Sequence, residues 1–389
     1  MDVKNRKILM ASYHCWTSPI QVGSHQLARE FVKMGHEVAF ISDPFSPFHF
    51  MPGMSHSLST RLKLYLSGGQ RYLGGKLWAY VPAAPLTPHN KPFLRSRWVA
   101  RNWWKNTFPS VIQKAVKNGF GEVDLIYLES VYQYFWLGKI RHRRSVYRMT
   151  DHPEGYQKMA TDSVRSLIRD LSLTVSAVAY TAKGLEPFVR SLQPYRHFYL
   201  PNGVQFDHFA GDRSGPPPEY AAIPGPRVVY AGSMEDWFDF DLVREAARSY
   251  PSFSFVLIGP EQEAVKRLSD IPNVHLLGPK RYEELPSYLR HAHVGIIPNN
   301  VWDRPELIHY MNPLKLYQYL ACGLPVVASK TRELVSLKSP ALLAPDRQAF
   351  IRLLGKAIEE RRNVREALSF ARGRDWSRMA RVLLEGAGR

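Results

Sequence analysis

Short apolar runs alternate with amphipathic stretches along most of the chain, and the alternation itself predicts the architecture. The segment "RKILMASYH" reads as a buried strand, and "SHQLAREFVKMGHEVAFIS" follows it after a loop. In that segment Leu27, Phe31 and Met34 recur at helical spacing, Gly35 suits a C-cap, and residues 38–41 form a second apolar run. A strand, loop, helix and strand in this order open a doubly wound sheet. "VDLIYLES" (123–130) and "RSVYRMTDHP" (144–153) read as later strands, each ending where the loops of such a sheet carry ligands. "LTVSAVAYTAKGLEPFVRSL" supplies a strand, a turn and a helix, and "FYLPNGV" (198–204) the last strand of this half.

The stretch "DRSGPPPEYAAIPGPR" then breaks the pattern with prolines and Gly-Pro turns, which predicts a linker over 205–226. Beyond it the alternation restarts: "VVYAGSM", "FSFVLIGP", "VHLLG", "VGIIP" and "PVVAS" read as strands, with helical patterns between them. The expected organisation is α/β, with two Rossmann-like doubly wound domains, 1–204 and 227–370, facing a cleft. A helical tail, 371–389, is expected to pack back on the first domain. A chain of 389 residues is too long for one ordinary core, which agrees with two domains.

Charge changes the picture next. Of the net charge of +18, residues 1–203 hold 27 basic and 12 acidic side chains, and the remainder is nearly balanced. No acidic residue falls between Asp43 and Glu122, where eleven Lys and Arg do. Within that span, "HNKPFLRSRWVARNWWKNTF" sets Arg97, Arg101 and Lys105 at i, i+4 spacing among Trp98, Trp103 and Trp104. Cations interleaved with indoles suit an anionic membrane surface, so Arg97, Trp98, Arg101, Trp104 and Lys105 are the expected membrane-facing set. The same residue types also serve nucleic acid, a partner not expected here, and the bland alternative is a solvated helix over core tryptophans. Cys15 and Cys322 make no metal spacing and fit a reducing compartment. The N-terminus is no signal peptide, and no apolar run reaches the ~18 residues that span a bilayer. The expected location is therefore cytoplasmic, peripheral on the inner face of the cell membrane.

The chemistry is narrowed by what is missing. "SYHCWTSPIQVGSHQ" has one glycine, Gly23, where a dinucleotide fingerprint would need three, and no P-loop, zinc or Ser-His-Asp signature is present. The second half carries more. "VVYAGSM" stops at Gly232, Ser233 and Met234, where a backbone can approach a phosphate. In "YMNPLKLYQYLACGLPVVAS" (310–329), Asn312 suits an N-cap, Pro313 the first helical position, and Lys315 falls in the first turn. A helix start carrying a lysine suits a diphosphate, because the free N–H groups, the dipole and the ammonium all attract anions. Gln318, three residues on, shares that face and can bond a sugar hydroxyl. The alternative is a capped core helix with Lys315 in solvent.

The pattern Asn-Pro-x-Lys-x-x-x-Tyr-x-Ala-x-Gly-x-Pro-Val-Val resembles the donor-site helix of GT-B glycosyltransferases. The bacterial enzymes related to xanthan glucuronosyltransferase and to the teichuronic-acid glycosyltransferases are the most similar. "YAGSMEDWFDFDLVREAARSYPSFSFVLIGP" and "NVHLLGPKRYEELPSYLRHAHVGIIP" resemble that family's C-terminal units, and "HQLAREFVKMGHEVAFIS" more loosely its opening. The resemblance implies a nucleotide-sugar donor, usually UDP-linked, near Gly232, Ser233 and Met234, with Lys315 on the diphosphate and Gln318 by the ribose. Gln318 stands where many such enzymes have Glu. Asn312 either bonds the phosphate region or caps the helix.

Inversion at the sugar needs a base for the acceptor hydroxyl. The xanthan enzyme's catalytic Asp lies in a similar "YR-x-x-D" setting, which Asp151 matches; a turn cap is the alternative role, and Glu154 or Glu129 could replace it. His14 and His25 are candidate acceptor contacts, Arg304 a candidate for a charged donor sugar, and the loop 306–311 a candidate pocket wall. GT-B enzymes generally need no metal, so neither a metal nor a cofactor is expected. The implied function is sugar transfer, with glucuronate a candidate, to a lipid-diphosphate-linked saccharide in surface polysaccharide synthesis. A nucleotide-sugar epimerase and a non-catalytic nucleic-acid- or polysaccharide-binding protein are the other readings.

Overall fold

The computed structural model describes residues 5–18, 21–50, 58–89, 93–155, 161–211, 214–360 and 363–388. The chain divides into two units, Met1–Leu200 with Ala380–Arg389, and Pro201–Met379.

The first unit contains eight strands: β1 (Lys7–Ser12), β2 (Glu37–Ser42), β3 (Gln70–Tyr72), β4 (Leu77–Tyr80), β5 (Glu122–Leu128), β6 (Arg141–Met149), β7 (Ala177–Tyr180) and β8 (His197–Tyr199). Their order in the sheet is β3-β4-β2-β1-β5-β6-β7-β8, parallel throughout except for the β3–β4 hairpin. β1 is buried at every position after Lys7, as a strand covered on both faces by helices must be. Helix Gly23–Lys33 returns the chain to β2 and buries Leu27 and Phe31, the predicted apolar face. The β3–β4 hairpin was not foreseen. Gln70, Arg71 and Tyr72 form no apolar run, and only their antiparallel register with Ala79, Trp78 and Leu77 makes them a strand. The last strand is shorter than the predicted 198–204, ending at Tyr199.

The second unit has six parallel strands: β9 (Arg227–Ala231), β10 (Ser254–Ile258), β11 (Val274–Leu276), β12 (Val294–Ile297), β13 (Val326–Ser329) and β14 (Leu342–Ala344), in the order β11-β10-β9-β12-β13-β14. Successive β9 side chains go to opposite faces. Val228 and Tyr230 join the cluster around Phe255 and Leu257, whereas Val229 and Ala231 join that of Leu316, Tyr319 and Val326.

The Pro-rich stretch expected to be a linker is part of this unit. Tyr220 is buried, donates its hydroxyl to the Tyr288 carbonyl at 3.0 Å and lies under the Arg227 guanidinium, and Ile223 joins the core. Its prolines shape turns on a packed surface. The expected tail is also redrawn: helix Val364–Arg372 and the start of helix Trp376–Gly388 group with the second unit, and Ala380–Arg389 with the first.

In both sheets the strand order reverses beside the first strand. β1 lies between β2 and β5, and β9 between β10 and β12. Such switch points open a crevice at the carboxyl ends of the strands, where doubly wound folds bind ligands. Those ends carry His14 and Glu129 in one unit and Gly232 in the other.

Candidate active-site residues

In the second unit, β9 is followed by Gly232, whose φ of +150° suits glycine. The Gly232 N–H donates to the Ile258 carbonyl at 2.8 Å, and a Cβ on neighbouring Gly259 would overlap the Gly232 carbonyl oxygen. A Cβ on Gly232 would itself stand 2.8 Å from the Lys315 ammonium. Glycine here therefore lets Lys315 lie against the end of β9. Lys315 sits in the first turn of helix Leu314–Ala321, with its ammonium 5.1 Å from the centre of the Tyr230 ring. Tyr230 is held in turn by donating to the Ser233 carbonyl at 2.6 Å, an oxygen that also accepts from the Trp237 indole at 3.1 Å. The helix is tied to β9 by the Tyr319 hydroxyl, which accepts the Ala231 N–H at 2.8 Å.

No carboxylate among the described residues pairs with Lys315, and burial alone lowers its pKa to about 8. A half-buried ammonium at a helix start, with an aromatic ring as its main neighbour, has chemistry that suits an anion. Gln318 lies one turn along the same helix, half-buried. Gly232→Ala is expected to weaken nucleotide binding by about tenfold, through backbone strain and displacement of Lys315. Calorimetric titration of UDP checks this, and an affinity equal to wild type would remove Gly232 from the site.

Two donor-side expectations are corrected. Asn312 neither caps the helix nor faces a phosphate. Pro313 is the N-cap residue, and the Asn312 side chain is buried, its Oδ1 accepting from the Tyr317 hydroxyl at 2.9 Å and the Asn202 N–H at 3.2 Å. Its Nδ2 donates to buried Glu333 at 2.7 Å, so the side chain is engaged on both its oxygen and its nitrogen by protein groups. Met234 turns into the core beside Tyr230 and Phe238 and leaves Gly232 and Ser233 to form the half-buried end. Arg304 bonds Asp236 at 3.1 Å, next to the same β9 loop. The side chain of Glu306, in the loop expected to wall the pocket, lies outside the described residues.

In the first unit, Asp151 follows the end of β6 and is half-buried; desolvation raises its pKa to about 6. Glu129, at the end of β5, is unsuited to replace it as base. Its carboxylate accepts from Ser12 Oγ at 2.9 Å and faces the buried Arg148 guanidinium at 3.5 Å, both ends being almost fully enclosed. Glu154 was the other substitute, and its side chain lies outside the described residues. His14 lies half-buried after β1, its pKa lowered mainly by burial and partly restored by Glu129.

His25 is corrected from acceptor contact to core residue. It is fully enclosed, Nε2 donates to the Cys15 carbonyl at 2.9 Å, Nδ1 accepts the Val22 N–H at 3.2 Å, and the ring stacks on Trp16. With both nitrogens committed and burial lowering its pKa to about 3, the ring stays neutral. One group that sequence reasoning missed stands on the same edge. Asp43, after β2, also has a carboxyl raised to about 6 by burial, with Ser130 and Gln133 hydrogen bonding opposing the rise, and its bonded partner Gln133 is ninety residues away.

Comparison with known proteins completes this picture. Residues 10–171 match the family described as glucuronosyltransferase GumK, N-terminal domain, and residues 225–360 match glycosyl transferases group 1. Sucrose-phosphate synthase from Thermosynechococcus elongatus superposes with a TM-score of 0.67 at 16% identity, covering 98% of both chains. Anabaena HepE in complex with UDP and glucose superposes with a TM-score of 0.66 at 15% identity, again over 98% of both. The chain has the GT-B fold and, by its two family matches, is a glycosyltransferase. TuaH of Bacillus subtilis (strain 168), assigned as a teichuronic acid biosynthesis glycosyltransferase, is 27% identical over 146 residues, which is 36% of this chain and 36% of that protein. The alignment therefore spans about a third of the curated relative.

On this GT-B glycosyltransferase the basic, aromatic segment is only partly the surface that was expected. Trp98 is exposed and Lys105 projects to solvent, but Trp103 is buried, with its indole donating to the Tyr132 carbonyl at 2.9 Å. Arg97 bonds Ser166 at 2.6 Å and Arg101 pairs with Asp170, so helix Asp162–Thr174 holds both arginines. Trp104 stacks on Phe135 at 5.1 Å, with the Lys105 and Lys139 ammonium groups 5.7 and 5.3 Å from its ring. Among the described residues no helix is long and apolar enough to cross a membrane, and no metal-ligating cluster occurs.

Proposed function

We propose that this glycosyltransferase moves a sugar from a UDP-linked donor to a lipid-diphosphate-linked saccharide in surface polysaccharide synthesis, inverting the anomeric centre. The observation that carries the reading is Lys315, half-buried beside Gly232 at a helix start and paired with no carboxylate among the described residues. The ammonium and the free N–H groups of the helix meet the donor diphosphate, and Gln318 meets the ribose. The relative solved with UDP and glucose supports a uridine nucleotide. The match to a glucuronosyltransferase N-terminal domain supports glucuronate as a candidate sugar, and TuaH supports a cell-surface polymer.

In the reaction, the acceptor hydroxyl oxygen attacks the anomeric carbon while Asp151 takes its proton. The bond from that carbon to the diphosphate oxygen breaks, and UDP leaves with the electron pair. Lys315 and the helix start stabilise the charge that develops on the leaving diphosphate. Exposed Trp98 and the Lys105 and Lys139 cations around Trp104 support an anionic membrane surface as the place where a lipid-linked acceptor is met.

The test is UDP release from a panel of UDP-sugars, UDP-glucuronate included, with and without a bacterial membrane lipid extract. Release that depends on the extract supports transfer, and release indifferent to it counts against a lipid-linked acceptor. Because Asp151 must be ionised to accept the proton and burial raises its pKa to about 6, kcat/KM should be at its plateau above pH 7. Below pH 6 it should fall about tenfold per unit. A profile flat down to pH 5 would remove Asp151 as base.

A further inference from the structure

Asp43 is held more firmly than the mechanism above requires. Its N–H donates to the Ser12 carbonyl at 2.9 Å, and its Oδ1 accepts from Gln133 Nε2 at 3.0 Å. Gln133 is fully buried. The same Nε2 lies 3.1 Å from the Ile41 carbonyl and 3.3 Å from that of Ser12, and its Oε1 accepts the indole N–H of buried Trp136 at 3.0 Å. An indole thus fixes an amide, and the amide fixes a carboxylate. From the other side Arg61, on helix Leu58–Leu66, donates to the Asp43 and Pro44 carbonyl oxygens at 2.5 and 3.2 Å. The guanidinium clamps the turn through its backbone, favours the ionised carboxylate from a distance, and no Lys or Arg among the described residues forms a direct ion pair with it. The neighbouring Arg148 is given to Glu129. A carboxyl kept half-exposed, oriented and unneutralised at a ligand-binding sheet edge is arranged to meet something other than the protein.

We propose that Asp43 binds a hydroxyl of the acceptor saccharide, on the sugar unit that precedes the one deprotonated by Asp151. The inference rests on the transferase reading above and names the class of acceptor at that site. The strand order β2-β1-β5-β6 sets the two carboxyl-bearing ends three strand spacings apart, about 14 Å between backbones. That span leaves room for about two hexose units. A carboxylate is the natural partner for sugar hydroxyls, accepting from one or two at once. The site therefore selects an acceptor of at least two sugars. Tyr13, Tyr132, Glu129 and Arg61 face Asp43, and Tyr147, Glu129 and Arg148 face Asp151, so Glu129 is the charge common to both.

The experiment measures initial transfer rates for the full chain, Asp43→Asn, Asp43→Glu and Gln133→Leu. A chloroform–methanol extract of bacterial membranes is the acceptor probe, its concentration varied at saturating UDP-sugar, with thermal melting as the folding control. Asp43→Asn is expected to raise the apparent acceptor KM about tenfold while kcat falls by less than about threefold. Gln133→Leu should raise KM in the same direction by releasing the carboxylate. Asp43→Glu, which keeps the charge but moves it, should fall between wild type and Asp43→Asn. A wild-type KM in a folded Asp43→Asn variant overturns the proposal, as does a loss confined to kcat. If the wild type transfers to nothing in the extract, the transferase reading itself fails and this inference falls with it.

Discussion

Asp151→Asn is expected to lower kcat for sugar transfer by about 10²- to 10⁴-fold, with the fold and UDP binding preserved. The amide matches the carboxylate in size but cannot take a proton from the acceptor hydroxyl. The other carboxylates on the same edge are poorly placed to substitute. Glu129 is engaged by Ser12 and Arg148, and Asp43 lies at the far side of β1 and β5. Burial also suits Asp151 to the role: with its pKa raised to about 6 it is a far better proton acceptor than an exposed aspartate, yet still ionised at pH 7. Transfer by Asp151→Asn at more than about a tenth of the wild-type rate would place the base elsewhere.

Lys315→Ala is expected to weaken UDP binding by about 2–3 kcal/mol, or roughly 30- to 140-fold. The ammonium is lost from a position beside an aromatic ring and a glycine backbone, neither of which can replace its charge. Lys315→Arg should restore little, because the larger planar guanidinium must fit against the end of β9 where even a Cβ on Gly232 is too close. A pH signature separates this site from an ordinary surface lysine. Burial lowers the Lys315 pKa to about 8, so the empty site loses its charge as pH rises from 7 to 9, and a bound diphosphate favours the charged form. UDP affinity should therefore fall across that range in wild type and stay flat in Lys315→Ala. Titrations at pH 7, 8 and 9 check this, and a wild-type affinity unchanged at pH 9 would mean that Lys315 does not touch the anion.

Local chemistry made much of this legible in the sequence. Apolar runs bounded by turns gave the parallel strands, because a strand covered on both faces has no polar alternative. The Asn-Pro-x-Lys segment marked a helix start because few residues suit that position. Features set by distant partners were misread. Asn312 has the right chemistry for a cap, but Glu333, Tyr317 and Asn202 claim its side chain. His25 resembled a loop histidine until Cys15 and Val22 closed over it. The prolines near Tyr220 announced turns and said nothing of whether those turns pack. Asp43, ahead of a proline, reads as a turn residue; only the Gln133 side chain, reaching the end of β2 from ninety residues away, makes it a fixed carboxylate.

The most direct test of the central claim is calorimetric titration of UDP, GDP and ADP into the wild-type chain at pH 7. UDP should bind with a one-to-one stoichiometry and more tightly than GDP or ADP. Absence of binding by any of the three would contradict a nucleotide-sugar donor site at Gly232 and Lys315.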